Sequence, residues 1–574
     1  MAEPFFCLYM DKRGVMMSAK YKMPVGIDDF KELRQGDYYF VDKTSFIENL
    51  IDGHSKVTLI TRPRRFGKTL TISMLRYFFT FEEAEENRKL FVDCHIDANA
   101  EHMKNQGSLP VVMLSLKDVK AESYDSMLAQ LRSVMSTLYR SYMYLLQSDA
   151  LIDAEKKTFE RIVSGSADIV ELQRSLVGLT HYLESHYGKT VLLLIDEYDA
   201  PIQSAWENDC YDKVINFMRG FLSTALKSNI SLNFAVMTGV VRIAKESIFS
   251  ALNNFEVSTI VDGRYPAAMG FTRQEVLTMA KDLGQEDKFD EVCDWYDGYN
   301  FSGIDIYNPW SVICYFQRGC LAQPYWINTS GNSILATLMR YRRAEDDEAL
   351  LSLLAGDSVL VPIDESVIYP DIENNKDALY TIMLEAGYLK TATRELVEGE
   401  FICNLAIPNR EIRTVYRKEV LNRFRGDMLP SDLLKVLTYM TTGNAKEFAE
   451  GLERYLQQMV SFHDTAKRPE NFYHGFMLGL SAWLMPNWQV KSNGESGDGR
   501  FDIAIYPCKQ GQRGICLEFK AADSIEKLDI MAEEALIQIE EMNYLADFNA
   551  RGIADVWCYG IAFCGKHLKL VSRK

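Results

Sequence analysis

From residue 24 to about residue 265, short apolar runs alternate with longer stretches of helical period, the pattern of strands and crossover helices in an α/β sheet. Val57-Thr58-Leu59-Ile60 reads as one strand, and residues 110–116, 190–195 and 232–237 read as three more. The unbroken apolarity of 190–195 suits a strand covered on both faces of a parallel sheet. Residues 68–79 contain neither Gly nor Pro and read as a helix. A mostly helical section is expected from 266 to about 347. Then a helix at 378–386, a hairpin at 388–407 and a helix at 410–424 give a winged-helix-like pattern. After Pro430, helices to about 459 lead into a final α/β unit. Residues 1–22 have no clear period and read as a tail. The expected domains are therefore 1–22, 23–265, 266–347, 348–430 and 431–574.

The first apolar strand enters Arg62-Pro63-Arg64-Arg65-Phe66-Gly67-Lys68-Thr69 and the predicted helix follows at once. Strand, Gly-Lys-Thr, helix is the context of a P-loop. Backbone N–H groups at the helix start cradle phosphates, helped by the helix dipole. Arg65, Phe66 and Gly67 shape the loop, Lys68 is expected to reach the β- and γ-phosphates, and the Thr69 hydroxyl to ligate Mg²⁺. Arg62 stands where the usual loop has its first Gly. The apolar run 190–195 ends in Asp196-Glu197, at the carboxyl edge where open α/β sheets bind ligands. Asp196 is expected to hold Mg²⁺ and Glu197 to polarise the attacking water. Asp199 is expected to cap the next helix, with Pro201 in its first turn. An extra strand between the two motifs, and a later one ending in Thr238-Gly239, match the additional-strand branch of P-loop ATPases. Thr238 is then the polar sensor, and Arg242 either touches the γ-phosphate or forms a surface ion pair. ATP is the ligand this half predicts.

Near the other end, residues 500–506 alternate, with Phe501, Ile503 and Ile505 facing one way and Asp502, Ala504 and Tyr506 the other. After a turn at 507–514, Ile515, Leu517 and Phe519 share one face while Glu518 and Lys520 share the opposite one. Two hairpin strands thus gather Asp502, Glu518 and Lys520. Such a group suits metal-dependent phosphodiester hydrolysis: the carboxylates hold Mg²⁺, the cation lowers the pKa of its water, and Lys520 orients that water or steadies developing charge. A solvated hairpin face gives the same pattern. The surroundings add weight: a Gly-rich turn at 494–499, a helix at 526–544 carrying Gln538 and Tyr544, and an apolar strand at 556–563. Helix, hairpin, helix, strand is the core order of the PD-(D/E)XK nuclease fold. Glu470 or His474, near the start of a helix at 472–484, is either an accessory ligand or a cap or core-edge residue.

Composition narrows the range of partners. A net charge of −17 over 574 residues argues against coating nucleic acid without specificity, so any such contact is confined to one face of one domain. No apolar run approaches the ~20 residues that cross a bilayer, which points to a cytoplasmic protein without membrane contact. The eleven cysteines are scattered without a CxxC pair and read as buried thiols. Aromatic strings at 295–299 and 325–328 read as core packing rather than base-stacking platforms.

With these residues in view, the chain resembles bacterial AAA-ATPase-like proteins that carry a C-terminal PD-(D/E)XK nuclease-like domain. The strings that carry the resemblance include Pro24-Val25-Gly26-Ile27-Asp28-Asp29-Phe30, the loop from Thr61 to Thr69, Leu194-Ile195-Asp196-Glu197-Tyr198-Asp199, Lys245-Glu246-Ser247-Ile248-Phe249 and Asn328-Thr329-Ser330-Gly331-Asn332. In the last domain they include Phe472-Tyr473-His474-Gly475-Phe476, Ser496-Gly497-Asp498-Gly499-Arg500 and Leu517-Glu518-Phe519-Lys520. The resemblance implies that Arg62 in the loop is normal for the family. It also implies an ATPase joined to a nuclease-like fold, and by association a setting in defence or mobile-element biology. The expected function is an ATP-regulated, Mg²⁺-dependent nuclease acting on nucleic acid. The alternative is a nucleotide-driven switch whose last domain binds nucleic acid or a protein without cutting. ATPases of this branch often form assemblies, so a homo-oligomer is compatible with either.

Overall fold

The computed structural model describes residues 8–10, 16–18, 21–242, 255–326, 349–350, 352–354, 356–416, 430–459, 469–484, 488–497, 499–509 and 511–574. The chain splits into two compact units, Met1–Tyr341 with Leu360–Glu411, and Arg342–Val359 with Ile412–Lys574.

The first unit is built on five strands: β1 (Val57–Thr61), β2 (Val111–Ser115), β3 (Val191–Asp196), β4 (Leu232–Gly239) and β5 (Phe255–Ser258). They lie in the order β2-β3-β4-β1-β5, and every pairing is parallel. All residues of β1 and β3 are buried, which suits the apolar character of both and the unbroken run of β3 up to Ile195. The strand ending in Thr238 separates the loop strand from the acidic strand, the order of the additional-strand branch. Because the sheet is parallel, the carboxyl ends of β1, β3 and β4 meet at one edge. Helix α1 (Lys68–Phe79) starts there, and buries Ile72, Phe78 and Phe79 against Phe30 and Phe91. Helix α2 (Ala200–Glu207) follows β3 with Pro201 in its first turn, as expected.

Within the described residues 266–326, the section expected to be mostly helical also holds strands. Helices Arg273–Asp282, Phe289–Tyr296 and Pro309–Gln317 are joined by a three-stranded sheet of Phe271–Thr272, Tyr299–Phe301 and Ile304–Tyr307. Its hairpin turns at Ser302-Gly303, both at positive φ (49° and 92°), as a two-residue turn between twisted strands requires. The tail also holds a small ladder, with Leu8–Met10 antiparallel to Met16–Ser18. Further on, strand β6 (Val359–Ile363) precedes helix α3 (Lys376–Glu385), and β7 (Lys390–Val397) forms a hairpin with β8 (Glu400–Ala406). A helix begins at Arg410 and is described to Tyr416. The helix–hairpin–helix order is present, and β6 adds a third strand in the order β6-β8-β7.

The second unit carries helices Pro430–Thr442 and Ala445–Met459, helix α4 (Pro469–Ser481), and a five-stranded sheet. Its strands are β9 (Trp488–Ser496), β10 (Gly499–Pro507), β11 (Gly514–Ala521), β12 (Val556–Cys564) and β13 (His567–Arg573), in that spatial order. Only β11 and β12 run parallel, joined by the crossover helix α5 (Leu528–Glu541). Two strands exceed the sequence reading. The Gly-rich stretch expected as a turn is largely strand: β9 runs through Gly494 to Ser496 and pairs with β10. Its polar residues hid it, as they do for an edge strand. The unit closes on β13, not on β12, and β13 is likewise an edge strand with alternating exposure. No described helix is long and apolar enough to cross a membrane, and every described cysteine is a free thiol.

Candidate functional site

In the first unit, the chain between β1 and α1 turns through two left-handed residues, Arg65 (φ 69°) and Gly67 (φ 87°). The turn aims the start of α1 into a cavity of about 820 Å³ lined by this loop, Glu197 and Trp310. Lys68 is buried, and its ammonium donates to the carbonyls of Arg62 (2.9 Å) and Pro63 (3.0 Å). Burial lowers the Lys68 pKa, against the opposing pull of Glu197 and Asp196. Two hydroxyls from different elements converge on the fully buried Asp196: Thr69 donates to one carboxylate oxygen at 2.7 Å and Thr238 to the other at 2.5 Å. Glu197 has φ 52°, and burial raises its carboxyl pKa while Lys68 opposes the shift. The chemistry fits the expected ligands. A helix N-terminus with a buried ammonium suits phosphate, and the Thr69 and Asp196 oxygens suit Mg²⁺, which keeps several waters.

In the second unit, the ladder between β10 and β11 stops at Ile503↔Leu517. Beyond it, side chains take over the hydrogen bonds. The Phe519 N–H donates to Asp502 Oδ2 (2.7 Å), and the Asp502 N–H donates to Glu518 Oε2 (3.3 Å). The two carboxylates therefore sit in the opening between splayed strands. Gln538 of α5 bridges the rest: it accepts from Lys520 Nζ at 2.6 Å and donates to Glu518 Oε1 at 2.5 Å. An ammonium only donates and a carboxylate only accepts, which fixes the orientation of the amide. Gln538 also donates to Tyr544 Oη at 3.0 Å. Helix α5 comes this close because Gly560 of β12 has no side chain; a Cβ there would lie 2.3 Å from the Ala532 carbonyl oxygen. Among the described residues no three His, Cys, Asp or Glu side chains form a metal site. A cation between Asp502 and Glu518 would complete its shell with water, as Mg²⁺ does.

Residues 24–249 match the family model described as "Predicted AAA-ATPase", and residues 468–573 match that of the PD-(D/E)XK nuclease superfamily. The chain joins an AAA-ATPase-like domain to a PD-(D/E)XK nuclease-like domain. It is also similar to a protein of Azotobacter chroococcum mcd 1 described as "Uncharacterized protein in vnfD 5'region". The two are 27% identical over 545 residues, 93% of this chain and 95% of that protein.

The ATPase-like domain differs from the sequence reading in detail. Asp199 precedes α2, but its side chain makes no cap hydrogen bond. Its buried carboxylate instead accepts the N–H groups of Val240 (2.9 Å) and Val241 (3.0 Å), fastening the acidic turn to the end of β4. Gly239 permits this, since a Cβ there would fall 2.7 Å from Asp199 Oδ1. Arg242 lies just past β4 with Nη1 3.9 Å from Glu365 Oε2. Arg62 is wholly buried and braces β1 to the segment after β5. Phe66 packs edge-on against Tyr299, with ring centroids 5.0 Å apart.

Most aromatic residues of the two strings prove to be core, residues 327–328 lying outside the described set. Tyr296, Tyr299, Tyr325 and Trp326 are buried, and Trp326 Nε1 donates to the Arg64 carbonyl (3.2 Å), as does Asn308 Nδ2 (3.4 Å). Their part in holding the loop has no local sequence signal beyond the aromatic clustering. In the nuclease-like domain His474 Nε2 lies 3.1 Å from both the Asp502 carbonyl and Ser492 Oγ, a core-edge position. Glu470 lies in α4, its side chain outside the described set. The strings 245–249 and 328–332 also lie outside the described residues.

Proposed function

We propose that this chain binds and hydrolyses ATP, and that its C-terminal domain is a Mg²⁺-dependent nuclease under nucleotide control. The observation that carries the reading is the convergence of Thr69 and Thr238 on Asp196, beside the buried Lys68 and the half-buried Glu197. Lys68 and the first turn of α1 bind the β- and γ-phosphates. Thr69 and Asp196 hold Mg²⁺, which neutralises phosphate charge when bound. Glu197, whose carboxyl is made more basic by burial, accepts a proton from the attacking water. Thr238 keeps Asp196 oriented as the nucleotide changes state.

In the nuclease-like domain Asp502 and Glu518 hold the divalent cation, which supplies an acidified water and a polarised phosphate when bound. Lys520 steadies the developing charge, and Gln538 fixes both Lys520 and Glu518. The acidic chain restricts nucleic acid to a local surface, so substrate is gripped at the site and not along the whole protein.

Phosphate release from ATP, measured with Mg²⁺ in the presence and absence of short single- and double-stranded DNA and RNA, tests this reading. Turnover that nucleic acid stimulates is expected. Turnover indifferent to every nucleic acid would support the uncoupled switch, and no turnover at all would remove the ATPase reading.

A further inference from the structure

The phosphate loop contains three arginines, and each has a different environment. Arg62 donates to the carbonyls of Thr61 (2.8 Å), Ser258 (3.0 Å), Thr259 (3.0 Å) and Tyr265 (2.8 Å). Burial pushes its pKa down to about 9, and it serves as a brace. Arg65 places its guanidinium over the Trp310 ring, 4.4 Å from the centroid. Arg64 is held differently. Its carbonyl is anchored by Trp326 and Asn308, which fixes the backbone there. Its side chain lines the cavity on the side of the acidic strand, where Nη2 donates to Gln203 Oε1 at 3.2 Å. Gln203 is itself held by Glu207 Oε1 (2.9 Å), one turn further along α2. Its guanidinium therefore rests on a neutral amide. The charge of Arg64 is felt by both Lys68 and Glu197, after the larger effects of burial and nearer charges.

We propose that Arg64 is a catalytic arginine supplied by the loop itself, which leaves Gln203 for the γ-phosphate when ATP binds. The inference rests on the ATPase reading above. In hydrolysis the water oxygen forms a bond to the γ-phosphorus, and the bond from that phosphorus to the β–γ bridging oxygen breaks. The bonding electron pair stays on the oxygen of ADP, and a water proton passes to Glu197. Negative charge gathers on the phosphoryl and leaving oxygens, where a guanidinium stabilises it. A neutral amide suits a resting partner because a charge-assisted phosphate bond is stronger and displaces it. Arg242, just past β4, already faces the Glu365 carboxylate.

The test uses the full chain, with steady-state ATP hydrolysis and, separately, equilibrium binding of a non-hydrolysable ATP analogue with Mg²⁺. Arg64→Ala should lower kcat by about 10³-fold, far more than it weakens analogue binding. Arg64→Lys should recover little, because an ammonium lacks the planar fork. Gln203→Glu combined with Glu207→Gln exchanges amide for carboxylate and gives Arg64 an anionic partner. That variant should lose about tenfold or more in kcat while its melting temperature holds or rises. A structural Arg64 predicts the reverse: the stronger contact would leave kcat intact. Unchanged kcat in Arg64→Ala, or in the exchanged pair, would overturn the assignment while leaving the ATPase reading standing. Absence of turnover in the wild type would overturn both.

Discussion

The two candidate sites hold their lysines in opposite ways. Lys68 is buried and donates to two carbonyls of its own loop, so the backbone between β1 and α1 also positions the cation. Lys520 donates to a side-chain amide on a crossover helix, and that amide also holds Glu518. The first arrangement is local and rests on strand, turn and helix in one stretch of chain. The second depends on α5 reaching across the sheet, and hence on Gly560. Perturbation of the first site should therefore be sharpest at residues of the loop itself. The second should be vulnerable at positions that touch no substrate.

The largest effect expected is at the local site. Lys68→Ala removes the charge facing the phosphates and should reduce ATP hydrolysis by about 10³-fold, read by phosphate release. Next, Gln538→Ala should lower nucleic-acid cleavage by about 10–100-fold, the cost of losing a partner that orients ligands, with ATP turnover unchanged. Equal loss of both activities would break the contrast. Gly560→Ala forces a methyl group against the backbone of α5, 2.3 Å from Ala532 O and 2.5 Å from Leu536 N. Overpacking of this kind costs about 1–3 kcal/mol, visible as a lower melting temperature of the nuclease-like domain together with weaker cleavage.

The smallest effect tests the support behind the ATPase site. Glu411 is buried, accepts the Trp326 N–H at 2.7 Å and the Ser311 hydroxyl at 2.8 Å, and burial pushes its pKa up to about 7. A carboxyl raised on folding loses stability as pH climbs from its ordinary range through about 7, because the buried form must then ionise. Glu411→Gln should match the wild type below about pH 4.5, then gain on it up to about pH 7 and stay ahead above it. The gain should be on the order of 3 kcal/mol in denaturant unfolding. A constant difference across that range would contradict the burial argument.

Much of this was legible in the sequence because it is local. The loop, Asp196-Glu197 and Thr238 each end an apolar strand, and parallel pairing carries those ends to one edge. Asp502, Glu518 and Lys520 were readable from period-two alternation. What escaped depends on distance along the chain or on weak propensity. Strand β9 is an edge strand rich in polar residues. The Tyr299–Tyr307 hairpin hides in a helical neighbourhood, betrayed only by Ser302-Gly303. Asp199 sits where a helix cap belongs, yet its carboxylate bonds the end of β4, 41 residues away in sequence. Trp326 grips a carbonyl 262 residues upstream. No local pattern encodes such contacts.

If nucleotide and metal chemistry in one chain serve cleavage of nucleic acid, short single- and double-stranded DNA and RNA should be cut with Mg²⁺, and ATP should change the rate. Wild type is compared with Lys68→Ala and with Asp502→Ala combined with Lys520→Ala. Cleavage abolished in the double variant, and changed by ATP in wild type but not in Lys68→Ala, is the predicted result. A wild-type protein that turns over ATP yet leaves every substrate intact with each divalent metal tried would contradict it.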